Sequence, residues 1–206
     1  MIKKSYACCA LLLLFFSTLI FAESATNDLS SLLSSFKSMS AHFNQTSYVK
    51  KQPAKNASGH MALQRPGKFR WEITQPNRQI IIADGQYLWI YDVDLEQATR
   101  QSLNKDVHSP AILLSGSSQA IEQRFTLIHS ERKGQNSIFQ LKPKNNQDLV
   151  QQVELKFTHD KLSEMSVMDS LGQKNTFQFT DVKLNPSLPN SLFQFKAPKG
   201  VDIIKN

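Results

Sequence analysis

Beyond residue 9 the chain has no cysteine: Cys8 and Cys9 are the only two in its 206 residues. A domain that starts after them can form no disulfide and has no thiolates for a structural zinc site. Histidine is also sparse, and His42, His60, His108, His129 and His159 are scattered, none paired with another at metal-ligand spacing. There is no Gly-x-x-x-x-Gly-Lys-Ser/Thr loop to cradle a nucleotide. Gly116-Ser117-Ser118 lacks the full Gly-x-Ser-x-Gly elbow of a serine nucleophile. Asp92 and Asp94 would share one side of a strand and could grip a cation, but Asp-x-Asp at a strand end is usually turn chemistry. No catalytic constellation, metal site or cofactor motif emerges, so an enzyme is not expected. The net charge is +7 without any Lys/Arg block. That reads as a solvated, mildly basic surface and not as a nucleic-acid site.

Long apolar runs are missing too. The stretch from Ala10 to Phe16 is too short for a membrane span, which needs roughly 20 residues. It follows Lys3 and Lys4 and leads to Ala22, the pattern of a cleavable signal peptide. Cleavage is expected after Ala22, with Ser24 as the near alternative. This divides the chain into a signal peptide, 1–22, and one domain, 23–206. A lipid-modified cysteine would stand at the end of the apolar run, whereas Cys8 and Cys9 precede most of it. The exported protein should therefore carry no anchor of its own. Removing Lys3 and Lys4 from 24 basic residues leaves 22 against 17 acidic ones, a net +5.

The domain should open with one helix, since Leu29, Leu32, Leu33 and Phe36 recur at helical spacing after Thr26, a plausible N-cap. From Ala41 the period becomes 2. Phe69, Trp71 and Ile73 alternate with Lys68, Arg70, Glu72 and Thr74, as in a half-buried strand. Pro66-Gly67 suits a type II turn, and Asp84-Gly85 joins Gln79–Ala83 to Gln86–Asp92 as a tight hairpin. Further strands are predicted over Phe125–Arg132, Ser137–Lys142, Val150–Phe157, Leu162–Met168 and Thr176–Lys183, with weaker segments near 42–50, 58–64, 94–100 and 193–196. Connections this short make neighbours antiparallel. One apolar helical insertion, Ala111–Leu114, is framed by Ser109-Pro110 and Gly116, and a second short helix is predicted from Ser118 to Gln123. The class is α+β: one large curved antiparallel sheet with a few short helices on one side.

The richest stretch is 59–97. Tyr87, Trp89 and Tyr91 fall on one face of a strand and Leu88 and Ile90 on the other, so both faces should be covered. Either this is plain core packing, or one side lines an apolar cavity roofed by the helices.

The run Gln64-Arg65-Pro66-Gly67-Lys68-Phe69-Arg70-Trp71, then Thr74-Gln75-Pro76, Ile82-Ala83-Asp84-Gly85 and Leu88-Trp89-Ile90-Tyr91-Asp92 through Leu95–Thr99, resembles the LolA family of periplasmic lipoprotein carriers. The resemblance extends from the opening helix to the Phe193–Ile203 tail. It implies an unclosed β-barrel of about eleven strands with a lid of short α-helices over an apolar cavity for acyl chains. It places a lid-latching arginine at Arg65 and cavity or lid residues at Leu32, Leu33, Phe36, Phe69, Trp71, Trp89, Ile112, Leu113 and Leu114. Ala111 departs from the family, which would have an aromatic residue there. The resemblance further implies a periplasmic monomer that takes acylated lipoproteins from an ATP-driven inner-membrane complex, LolCDE, and passes them to the outer-membrane acceptor LolB. The same fold serving as a periplasmic binding protein for other lipids is the alternative.

Overall fold

A computed structural model describes residues 17–49, 52, 54–103, 114–145 and 148–205. Two helices are described, α1 (Ser17–Ser34) and α2 (Ser118–Arg124). Twelve strands follow in chain order: β1 (Ser38–Tyr48), β2 (Lys55–Gln64), β3 (Lys68–Gln75), β4 (Gln79–Asp84), β5 (Tyr87–Asp92), β6 (Gln97–Ser102), β7 (Phe125–Lys133), β8 (Asn136–Pro143), β9 (Val150–Thr158), β10 (Lys161–Asp169), β11 (Lys174–Leu184) and β12 (Asp202–Lys205).

All twelve lie in one sheet, ordered β12-β6-β5-β4-β3-β2-β1-β11-β10-β9-β8-β7. The two ends do not meet, so the barrel is unclosed. Each pairing is antiparallel except β12 with β6, which is parallel because the C-terminal tail returns along the edge instead of turning in a hairpin. The turns match their residues. Gly67 and Gly85 take φ of +73° and +99°, as the turns after Pro66 and Asp84 require. The Asp84 carboxylate accepts the backbone N–H groups of Gln86 and Tyr87 at 2.8 and 2.7 Å and holds the hairpin shut.

Strand alternation sorts the side chains onto two faces. Met61, Leu63, Phe69, Trp71, Ala83 and Leu88 point inward, into one apolar core shared with Leu29, Leu33 and Phe36 of the N-terminal segment. Arg70 and Glu72 point outward and pair with each other at 2.9 Å. Gly59 is needed where β2 meets β3: a Cβ there would fall 1.8 Å from the Glu72 carbonyl oxygen.

Two expectations need correction. Thr26 is no N-cap: helix α1 is already formed at Ser17, the first described residue, and runs on through Thr26, because no proline or glycine interrupts residues 17–25 and Ala22 and Glu23 favour helix. The segment near 193–196 forms no strand. Asn190–Phe193 is a short 3-10 helix with Phe193 buried, and the tail's strand comes later, at Asp202–Lys205.

Candidate functional site

The site is built where the C-terminus of α1 meets the β2–β3 turn. A helix ends with carbonyls that have no partner within it. Arg65, in that turn, supplies the donors. Its Nη1 donates to the carbonyl oxygens of Leu33 and, at 3.3 Å, Phe36. Its Nε and Nη2 both donate to the Leu114 carbonyl oxygen, at 3.2 and 3.0 Å. One guanidinium thus ties the opening helix, the turn and the helical residues Leu114–Ser115 together. The planar five-donor fork makes this possible; an ammonium has no such fork. The negative end of the α1 dipole adds to the attraction.

Neighbouring contacts reinforce the joint. The Gly67 N–H donates to the Ser115 carbonyl at 3.0 Å, and the Arg65 N–H to that of Lys37 at 2.8 Å. Ser34 of α1 bonds Ser118 of α2 at 3.0 Å. The Arg65 guanidinium also lies 4.2 Å from the centroid of the Phe36 ring. Burial pushes its pKa down from the ordinary arginine value to about 10, which leaves it a cation at neutral pH.

Beneath this joint the interior is apolar. Leu33, Phe36, Phe69, Trp71 and Leu114 are all buried in the common core, and Leu32 packs against it half-buried. Trp71 stacks on Phe43 at 4.1 Å and meets Phe177 and Phe179 edge-on at 5.2 and 6.3 Å. This aromatic wall joins β1, β3 and β11. Phe43, Phe177 and Phe179 escaped the sequence reading as site residues, although their period-2 spacing was the available signal. Ile112 and Leu113 lie outside the described residues.

Trp89 does not join the interior. Leu88 and Ile90 face the core, and Trp89 points the other way. Its ring sits 4.9 Å from Phe195 of the tail, its Nε1 donates to Asp84 Oδ2 at 3.2 Å, and Arg100 lies over it. Tyr91 packs on Phe195 as well, at 5.5 Å. The tail covers the outer face of β4 and β5, which explains a strand apolar on both sides. The Asp92 carboxylate accepts the Leu95 N–H at 3.1 Å, as turn chemistry requires. Among the described residues no three His, Cys, Asp or Glu side chains gather into a possible metal site. No helix among them is long and apolar enough to cross a membrane.

This architecture has known counterparts. The family described as outer membrane lipoprotein carrier protein LolA matches residues 34–196. The chain belongs to the LolA family. It is 41% identical over 196 residues to the outer-membrane lipoprotein carrier protein of Legionella pneumophila (strain Corby), covering 95% of this chain and 96% of that one. It is 40% identical over 193 residues to the protein of the same description from Coxiella burnetii (strain CbuK_Q154), covering 92% and 91%. Among solved structures, a LolA superfamily protein from Nitrosomonas europaea superposes with a TM-score of 0.50 at 13% identity, covering 84% of this chain and 97% of that one. An uncharacterised conserved protein from Thermus thermophilus gives 0.53 at 12% identity, covering 89% and 99%. At such identities these two bear on the fold alone. The LolA match ends at 196, before β12.

Proposed function

We propose that this LolA-family protein is a periplasmic carrier for acylated lipoproteins. It sequesters their acyl chains in the apolar interior and yields them to an outer-membrane acceptor. The observation that carries the reading is Arg65, which holds α1 and Leu114 over an apolar core through carbonyl hydrogen bonds. Burying one chain of about 16 carbons is worth on the order of 10 kcal/mol at roughly 0.8 kcal/mol per CH₂. A lipid-anchored protein therefore cannot cross water unaided. A carrier needs a dry site that can open again, and bonds to a charged donor net only about 1.5–3 kcal/mol each.

Residues 1–22 act as the signal peptide in this reading, and 23–206 as the working domain. Because Cys8 and Cys9 precede most of the apolar run, the exported form is free of a lipid anchor. A shuttle between two membranes has to be free. Loading and release fall to partners, an ATP-driven inner-membrane complex of the LolCDE type and an acceptor of the LolB type. The working form is a monomer.

The deciding experiment is mass spectrometry of material that co-purifies with the protein from the periplasm. Protein-linked, triacylated cysteine is the expected finding. Free lipid with no attached polypeptide would replace this reading with that of a general lipid-binding protein.

A further inference from the structure

The sheet ends at β7, and beside that edge lies an open groove of about 1050 Å³ between β7, Ala25–Leu29 of α1 and Ile121–Glu122 of α2. This volume is at the upper end of small-molecule pockets. Its floor is apolar, and four of its residues, Leu29, Ile121, Phe125 and Leu141, belong also to the common core. The floor of the groove therefore backs directly onto the buried core over which Arg65 is latched. One wall is a different kind of surface. From His129 to Lys133 the strand is exposed, Ile128 is 53% exposed, and among the described residues no strand pairs with the outer edge of β7. An edge strand presents a row of backbone N–H and C=O groups that only another extended backbone satisfies in full.

Apolar floor and open strand edge ask for different chemistry in one ligand. A free fatty acid or phospholipid would fill the floor and leave the strand edge without a partner strand. A plain peptide would pair with the edge and leave the floor wet. An extended peptide whose first residue carries the acyl chains satisfies both. We propose that the groove holds the junction of the cargo, its acyl chains passing over Leu29, Ile121 and Phe125 into the interior while the polypeptide that follows adds to the sheet as a strand beside β7. This rests on the carrier reading and assigns the part of the cargo that reading leaves outside the acyl cavity. Strand addition is independent of side-chain identity, because its bonds are between backbones. It suits a carrier whose cargoes share a lipidated cysteine and differ in what comes after it.

The test is amide hydrogen exchange on the purified protein with three synthetic probes. The first is a cysteine bearing an N-palmitoyl and an S-diacylglyceryl group, followed by six residues of polypeptide. The second is the same acylated cysteine ending in an amide, and the third is the six-residue peptide without lipid. Exchange across Thr126–Lys133 is expected to slow at least tenfold with the first probe alone, while the first and second both slow exchange at the core strands. Equal exchange along β7 in the two lipid complexes overturns strand addition and leaves the carrier reading standing. Binding of neither lipid probe overturns both. Protection of β7 by the unlipidated peptide alone overturns the joint use of floor and edge.

Discussion

Arg65 grips the Leu114 carbonyl oxygen with two nitrogens, Nε at 3.2 Å and Nη2 at 3.0 Å, while its third nitrogen serves the end of α1. The two attachments lie 49 and 29 residues away in sequence, so this side chain cross-links segments that the chain itself does not hold together. In the carrier reading that cross-link is the element that opens.

Replacing it by leucine should leave the sheet intact, because the core residues beneath are untouched. One bond to a charged donor is worth about 1.5–3 kcal/mol, and Arg65 makes several, so their loss should raise the open population by at least roughly tenfold. Exchange of amides near Leu33–Lys37 and Leu114–Ser115 should accelerate by that factor, with exchange in β9 and β10 unchanged. Arg65→Lys should resemble Arg65→Leu more than the parent, since one ammonium cannot reproduce the fork. Unchanged exchange at both segments in Arg65→Leu would sink the latch. In a transfer assay the same variant should take up cargo and fail to pass it to a LolB-type acceptor.

The joint should be indifferent to pH near neutrality. Burial lowers the Arg65 pKa to about 10, so the group is fully charged well below that and loses its proton only as pH rises through it. A cation whose folded pKa is below its unfolded value binds fewer protons folded than unfolded between the two. By linkage, any stability change from this group is confined to the window between about 10 and the ordinary arginine value and is a gain as pH rises. Exchange at Leu114–Ser115, corrected for its intrinsic pH dependence, should therefore be flat from about pH 5 to 8. A midpoint inside that range would mean that another group controls closure.

Gly59→Ala tests the sheet instead of the site. The added Cβ would meet backbone, the Glu72 carbonyl oxygen at 1.8 Å, and no rotamer change can relieve that. Overpacking that shifts backbone costs about 1–3 kcal/mol or more. The melting temperature should fall by several degrees, and β2–β3 amides should lose protection first. A variant as stable as the parent would show that the strands can move apart freely at this point.

Much of this was legible in the sequence where one residue type answers one local need. Pro66-Gly67 and Asp84-Gly85 marked turns because positive φ and side-chain capping are local requirements, and both glycines take it. Leu33 and Phe36 marked the buried face of the opening segment because helical spacing is local as well. Arg65 became a site residue only by resemblance, since its partners are carbonyls and any sequence supplies those. The fate of Trp89 was not legible at all. Tyr87–Asp92 is apolar on both faces, so alternation cannot say which face is inside. The answer lies about a hundred residues later in Phe195, and contacts at that separation leave no periodic trace. The aromatic wall of Phe43, Trp71 and Phe177 joins three strands in the same non-local way.

That contact supplies the last prediction. Phe195 packs on both Trp89 and Tyr91, and β12 follows it along β6 in register from Asp202 with Gln97 to Lys205 with Arg100. The four residues of β12 are exposed, so its pairing has little apolar burial to support it. Phe195 should therefore anchor the whole tail. Phe195→Ala should uncover Trp89, shifting its emission to the red, while buried Trp71 is undisturbed. Exchange in β12 and along the β6 edge should accelerate together, because a strand this short does not hold without its anchor. The stability cost should be below the roughly 3–5 kcal/mol of a fully buried Phe→Ala, since Trp89 is itself only partly buried. A blue or unshifted emission with β12 still protected would mean that the parallel pairing holds the tail by itself. Cargo binding should survive Phe195→Ala, because tail and apolar interior lie on opposite faces of the sheet.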